Sequence, residues 1–259
     1  MNEATPVPPP RHRGIYLLPN LVTTGAMFAG FYAIIASIGG RYTDAAVAVF
    51  FAAVLDGLDG RVARLTGTQS EFGVQYDSLS DLISFGLAPA LVMYTWSLSA
   101  LKDFGPLWGK LGWAAAFIYA ACAALRLARF NTQVGVADKR YFQGLASPAA
   151  AAVCMSFVWS VDKSGLPGSE FCFVTPVIML VVGLLMVSQF RYFSFKSLPM
   201  DERGRVPFRW IVGAVLLLAL LILDTARVLL AGFTVYLLSG PAWTVWLAAR
   251  QRRARRGAA

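Results

Sequence analysis

The amino-acid sequence predicts an all-α fold, a polytopic membrane helix bundle of about eight transmembrane helices. Of the 259 residues, 57% are hydrophobic and only 14% are charged, whereas globular proteins carry about 25% charged residues. This composition excludes a disordered chain and an ordinary water-soluble domain. A spanning helix needs about 20 mainly apolar residues, and the runs that meet this requirement are 15–38, 43–65, 77–99, 107–130, 144–161, 172–190, 207–224 and 228–248.

The eight runs divide the chain into three parts. Residues 1–13 form a polar N-terminal segment, residues 14–249 a membrane-embedded domain that carries the candidate catalytic residues, and residues 250–259 a basic tail. The first run is long and has no clear small-residue cleavage site, so we expect a retained anchor rather than a removed signal peptide. The three cysteines form no CxxC pair and predict neither a disulfide framework nor a zinc site.

The basic residues predict the orientation of the chain. With the N-terminus in the cytoplasm, 18 of the 23 Lys and Arg residues fall on the cytoplasmic side, as is typical of cytoplasmic loops. The five on the other side are Arg41, Lys102, Lys110, Lys163 and Arg227. We therefore expect an integral protein of the cell (inner) membrane with both termini in the cytoplasm. The same bias accounts for the net charge of +9 without a nucleic-acid partner, and the basic tail is expected to rest on anionic headgroups.

Four carboxylates lie in or at the ends of the second and third runs: Asp56, Asp59, Asp77 and Asp81. A charge at membrane depth costs at least about 2.5 kcal/mol, so four together require a function. The first two are three residues apart and share a helix face, and the last two, four apart, share another. Turn signals at 66–68 and at Gly73 predict that the two helices are antiparallel neighbours whose acidic faces meet near the cytoplasmic surface.

Bound metal ions would relieve the repulsion among these aspartates. Two divalent cations balance four negative charges, and oxygen ligands without His or Cys favour Mg²⁺ or Mn²⁺. Paired ions can clamp a phosphoryl group during in-line displacement. A divalent-cation transporter that uses the cluster as its ion path is the alternative from another class, although the sequence lacks the internal repeat of many transporters.

Small and basic residues beside Asp59 fit a phosphate ligand. Gly60 and Ala63 would let a bulky ligand approach the backbone, and Arg64 could bind phosphate oxygens as a fork. Close helix packing is the alternative explanation for the two small residues, and a flank that extends to the membrane surface is the alternative for Arg64.

The pattern Asp56-x2-Asp59-Gly60-x2-Ala63-Arg64-x8-Gly73-x3-Asp77-x3-Asp81 resembles the signature of the CDP-alcohol phosphatidyltransferases. Members of this family are membrane enzymes that move a phosphatidyl group from a CDP-linked lipid to an alcohol and release CMP. The resemblance implies that the four aspartates hold the metals, that Asp81 is also the catalytic base, and that the enzyme is a homodimer. It also implies that the residues contacting the CDP-lipid are Asn20, Thr23, Gly60, Ala63, Arg64, Ser70 and Gly73.

More of the chain, about residues 15–155, is similar to one branch of the family, the bacterial and archaeal phosphatidylserine synthases. The similar stretches are LPNLVTTGAMFAGFYAI, FGVQYDSLSDLISFGLAPA, AALRLARFN and FQGLASPAAAA. The branch implies CDP-diacylglycerol and L-serine as substrates and phosphatidylserine as product. A sister transferase acting on glycerol 3-phosphate or inositol would share the whole acidic motif and stays open. Residues 160–259 match nothing diagnostic.

Two arginines near the end of the fourth run are candidates for binding the acceptor. Arg126 and Arg129, three residues apart, could bind the serine carboxylate bidentately, grip phosphate, or merely anchor the helix. We also expect Pro148 to kink the fifth run near the site. At the end of the seventh run, Asp224 and Arg227 are expected to form a structural pair.

Overall fold

The computed structural model describes residues 17–68, 70–132, 141–193 and 208–256, most of which are helical. The predicted polar segment 1–13 lies outside the described residues, as does the end of the predicted basic tail. The elements in chain order are α1 (Leu17–Ile38), α2 (Tyr42–Thr66), α3 (Glu71–Asp81), a π-helix (Leu82–Leu87), α4 (Ala88–Trp96), a 3-10 helix (Leu98–Phe104), α5 (Pro106–Thr132), β1 (Tyr141–Gln143), α6 (Ser147–Lys163), a 3-10 helix (Gly168–Phe171), α7 (Thr175–Val187), β2 (Arg191–Phe193) and α8 (Phe208–Arg256).

The predicted all-α class is confirmed, apart from one short ribbon. In the described part of the chain, the helices long and apolar enough to cross a membrane are Leu18–Ile38, Glu71–Trp96, Pro106–Thr132 and Trp210–Thr244. The other predicted runs form α2, which carries an acidic pair, and the shorter helices α6 and α7, of 17 and 13 residues. Strands β1 and β2 pair antiparallel, with Phe142 opposite Tyr192.

The last helix is broken at Asp224, whose φ of −151° and ψ of 84° are not helical. The break falls between the predicted runs 207–224 and 228–248. The expected pairing of Asp224 with Arg227 is confirmed at 3.4 Å, and Lys163 at the end of α6 adds a second ion pair at 3.1 Å. These contacts tie the break in α8 to the end of α6.

The first turns of two helices, α3 and α6, correct two expectations from the sequence. The third helix begins at Glu71 rather than at residue 77, because the Ser70 hydroxyl caps it by accepting the Gly73 N–H at 3.0 Å. Pro148 does not kink a helix but lies in the first turn of α6. A proline fits there because its missing N–H would have no helical partner in the first turn.

Small and hydroxylated residues bring α1 against the third helix. The Ser80 hydroxyl donates to the Thr23 carbonyl and the Ser84 hydroxyl to the Ala26 carbonyl, each at 3.1 Å. A Cβ on Gly30 would lie only 2.6 Å from the Ser84 hydroxyl oxygen, so this approach requires glycine. Such close contacts are typical of helices packed within a membrane, and they set α1 beside the acidic faces of α2 and α3.

The π-helix follows Asp81 directly and is integrated into the core. The buried Tyr119 of α5 donates its hydroxyl to the Phe85 carbonyl at 3.1 Å. Single π-helical turns within α-helices are frequent at functional sites.

Candidate active site

Three aspartates from two helices converge at one point. One carboxylate oxygen from each of Asp56, Asp59 and Asp77 lies within 4.8 Å of the others. Asp81 lies outside this triad but beside it, with its carboxyl group within hydrogen-bonding reach of Asp56. The structure thus brings together the two acidic faces that were expected to meet, as a triad with a fourth carboxylate next to it.

The donor set of this triad suits a hard divalent cation. Asp59 is buried, with 4% of its surface exposed, and one of its oxygens accepts the Thr23 hydroxyl at 2.8 Å. Oδ1 of Asp77 is buried and has no hydrogen-bond partner among the described residues. A buried carboxylate oxygen without a partner is unfavourable unless a positive charge satisfies it. Closely spaced carboxylates without nitrogen or sulfur ligands favour Mg²⁺ or Mn²⁺.

A cavity of about 250 Å³ opens beside the triad. It is lined by Pro19, Asn20, Thr23, Asp59, Gly60, Ala63, Thr68, Ser70, Gly73, Val74 and Asp77. Six of the seven residues expected to contact a CDP-lipid therefore share one cavity with two of the aspartates. Apart from the neighbouring backbone of its own helix, no described heavy atom lies within 4 Å of where a Cβ on Gly60 would be, so a ligand can approach that backbone closely.

Arg64 is the seventh expected residue and does not line the cavity. Its Nε donates to the Gly60 carbonyl on its own helix at 2.9 Å, so a bound phosphate would be held by its two Nη groups. Thr68 and Val74 line the cavity without having been singled out from the sequence. Thr68 belongs to the turn signal that follows α2, which could have indicated its position.

The two candidate arginines of α5 have different surroundings. Arg126 interacts electrostatically with Asp81 and donates to the Ser147 hydroxyl at 2.7 Å. Arg129 donates to the Val187 carbonyl at 3.3 Å. Of the two, Arg126 is the one whose contacts lead to the acidic site. Ser147 lies in one of the stretches similar to the phosphatidylserine synthases, but no pattern in the sequence indicates its contact with an arginine.

Comparison with known proteins identifies the class to which this fold and site belong. The model of the CDP-alcohol phosphatidyltransferase family matches residues 16–162, more than half of the chain. The chain belongs to this family, as the aspartate pattern predicted.

Individual relatives cover much of the chain. A CDP-diacylglycerol–serine O-phosphatidyltransferase of Helicobacter pylori is 39% identical over 185 residues, which are 71% of this chain and 74% of the relative. An archaetidylserine synthase of Methanothermobacter thermautotrophicus is 36% identical over 184 residues, 68% of this chain and 69% of the relative. A CDP-diacylglycerol–serine O-phosphatidyltransferase of Methanocaldococcus jannaschii is 35% identical over 144 residues, 56% of this chain and 61% of the relative.

Proposed function

We propose that this protein transfers the phosphatidyl group of CDP-diacylglycerol to the hydroxyl of L-serine, giving phosphatidylserine and CMP. The observation that carries the proposal is the convergence of Asp56, Asp59 and Asp77 beside a cavity lined by the residues of the family motif. Serine as the acceptor is supported by the names of the relatives, since the motif itself is shared with transferases that use other alcohols.

The cavity is the binding site for the diphosphate of the lipid donor. Gly60 keeps space open next to the backbone, while Asn20 and Ser70 supply polar atoms. The acyl chains stay in the bilayer, because α1 and the helix Glu71–Trp96 that flank the cavity are apolar enough to span it. Two Mg²⁺ or Mn²⁺ ions held by the triad and Asp81 would supply the positive charge that the diphosphate and the departing CMP need.

Asp81 is the base for the acceptor. It is within hydrogen-bonding reach of Asp56 and interacts electrostatically with Arg126, so it links the acidic triad to the candidate acceptor site. The serine hydroxyl gives its proton to the Asp81 carboxylate, and its oxygen attacks the phosphorus next to the diacylglycerol. The bond from that phosphorus to the oxygen of CMP breaks, and CMP leaves. Arg126, Arg129 or both hold the acceptor or a phosphate.

The setting of the enzyme is part of the proposal. We place the active site and both termini on the cytoplasmic side of the cell membrane, with eight spans, as the distribution of basic residues supports. A homodimer is supported by the family resemblance alone, and the mass of the purified protein in detergent would test it.

The deciding experiment measures CMP release by the purified protein with CDP-diacylglycerol and Mn²⁺ or Mg²⁺, adding serine, glycerol 3-phosphate or inositol in turn. We expect release with serine and none after chelation of the metal. Release with one of the other alcohols instead would keep the family chemistry and overturn the acceptor.

The role of Asp81 has its own test. We expect Asp81→Asn to fold and to bind CDP-diacylglycerol, but to turn over more slowly by a factor of about 10² to 10⁴, the usual contribution of a general base. Asp44→Asn makes the same change in the first turn of α2, where Asp44 is exposed and paired with Arg41, and it should keep normal turnover. Near-normal turnover of Asp81→Asn would remove Asp81 as the base.

A further inference from the structure

Arg129 holds together a structural joint, the place where α5, the end of α7 and the end of β1 meet. Its guanidinium donates to the Val187 carbonyl at the end of α7 and to the Gln143 side chain at the end of β1. The same joint is closed by backbone bonds, from Gly144 N–H to the Phe190 carbonyl at 2.9 Å and from Leu145 N–H to the Leu185 carbonyl at 3.0 Å. Arg129 therefore links α5 to the junction of β1 and α7, and both of its Nη groups donate there.

Arg126, one helical turn earlier, uses only part of its guanidinium in hydrogen bonds to the described residues. Nη1 donates to the Ser147 hydroxyl at 2.7 Å, and Ser147 is completely buried at the start of α6. Nε is buried and has no hydrogen-bond partner in the part of the chain that the structure describes. A carboxylate binds an arginine with two parallel hydrogen bonds, and the Nε–Nη2 edge is the one that the Ser147 contact does not use.

Residues beyond the family match complete the surroundings of Arg126. Tyr236 of α8 interacts electrostatically with the guanidinium and packs on Tyr192 of β2, with ring centroids 5.5 Å apart. Tyr192 is buried and donates to the Leu237 carbonyl at 3.1 Å. Burial and the nearby Tyr236 raise the pKa of Tyr192 to about 12, so its hydroxyl stays protonated as a donor.

Gly240 makes the close packing of α8 against Tyr192 possible. A Cβ on Gly240 would lie 2.4 Å from Cζ of Tyr192, so only glycine allows the ring of β2 to pack against α8 here. The contact fixes the part of α8 that carries Tyr236 relative to β2, and with it the distance of Tyr236 from Arg126.

We propose that Arg126 alone binds the carboxylate of the acceptor, that Ser147 and Tyr236 are positioning residues which orient its guanidinium, and that Arg129 acts only through the joint. This inference rests on the proposed function and assigns the acceptor class, a small amino acid with a hydroxyl group. A carboxylate held at the Nε–Nη2 edge places the hydroxyl of a molecule as short as serine near Asp81, because Asp81 and Arg126 are neighbours.

The test compares two acceptors that differ only in the carboxylate. Ethanolamine has the amine and hydroxyl of serine but lacks the carboxylate, so the ratio of kcat/KM for serine to that for ethanolamine reports carboxylate binding. We expect Arg126→Lys to lower this ratio by roughly 10- to 100-fold, the usual size of lost hydrogen bonds to a charged group. Arg129→Lys is the matched control, and it should change both rates together and leave the ratio unaltered.

Substitutions of the positioning residues should change the KM for serine without changing kcat. In Ser147→Ala and Tyr236→Phe we expect a raised KM for serine, with kcat and the KM for CDP-diacylglycerol retained. Retained CDP-diacylglycerol binding checks that each variant is folded, and Ser147→Ala carries the test if Arg126→Lys does not fold. The inference would be overturned if Arg129→Lys lowered the serine-to-ethanolamine ratio of kcat/KM as much as Arg126→Lys does. It would also be overturned if neither Arg126→Lys nor Ser147→Ala changed this ratio. If the wild type released CMP with a different alcohol but not with serine, the proposed function would be overturned as well.

Discussion

At the scale of single residues, Thr23 shows how the acidic triad is oriented. Its hydroxyl donates to Oδ2 of Asp59 at 2.8 Å, and its carbonyl accepts from Ser80 at 3.1 Å. Thr23 was expected to contact the lipid donor, and it does line the cavity. The hydrogen bond to Asp59 adds a second role, because outer partners of this kind orient a ligating carboxylate.

We therefore expect Thr23→Val, which keeps the shape of the side chain but removes the hydroxyl, to weaken metal binding. The Mn²⁺ concentration that gives half-maximal CMP release should rise by roughly 10- to 100-fold, the usual effect of losing such a partner. Thr23→Ser should stay close to the wild type because it keeps the donor.

The neighbouring Thr24 supplies a control. It bonds to the Asn20 carbonyl and to Tyr76 instead of to an aspartate, so Thr24→Val should leave the Mn²⁺ titration unchanged. An unchanged titration in Thr23→Val would mean that this threonine does not orient Asp59.

At the scale of elements, the turn between α2 and α3 aligns the two acidic pairs. Gly67 ends α2 in the left-handed conformation with φ +62°, and the Thr68 N–H closes the helix end on the Ala63 carbonyl at 3.1 Å. Ser70 then starts α3. Gly67 and the caps on either side of it thus fix how Asp59 and Asp77 meet.

Gly67→Ala tests the turn. The described residues leave open space around the Cβ position of Gly67, so the effect comes only from the backbone conformation, which costs a non-glycine residue about 1 kcal/mol. We expect a lower midpoint of thermal unfolding in detergent and a smaller loss for Gly67→Asn, since asparagine tolerates this conformation better. Gly213→Ala, in a helical and equally open position, should not lower the midpoint.

The sequence is sufficient to predict the features that depend on local spacing. The two acidic pairs and the turn between their helices are all contained in residues 56–81, so helical periodicity and a few turn residues predict their meeting. The early start of α3 was missed because residues 71–76 are too polar for an apolar run, although Ser70 is a good cap. Ser147 and Tyr236 reach Arg126 from distant segments, and no local pattern carries that information.

At the scale of the whole molecule, the distribution of basic residues predicts which end of the bundle faces the cytoplasm. Leu65, near the α2–α3 turn, is 88% exposed, while Lys102 lies in the 3-10 helix that follows the far end of the Glu71–Trp96 helix. The native Cys122, Cys154 and Cys172 are all buried, so a cysteine introduced at either position should be the reactive one.

These positions give a direct test of orientation. In sealed right-side-out vesicles, we expect a membrane-impermeant maleimide to label Lys102→Cys at once and Leu65→Cys only after the membrane is permeabilised. The wild-type protein, treated in the same way, is the control and should take up no label because its cysteines are buried. The reverse pattern of labelling would place the acidic site on the outer side and contradict the orientation derived from the basic residues.

The closeness of the acidic residues in the chain has a consequence for biogenesis. A membrane protein emerges from the ribosome from its N-terminus onwards. The lining of the donor cavity lies between Pro19 and Asp77, whereas Arg126 and Tyr236 are synthesised much later. The nascent chain thus contains every residue that lines the cavity proposed for the nucleotide lipid before the ribosome has made the residues proposed to hold the amino acid.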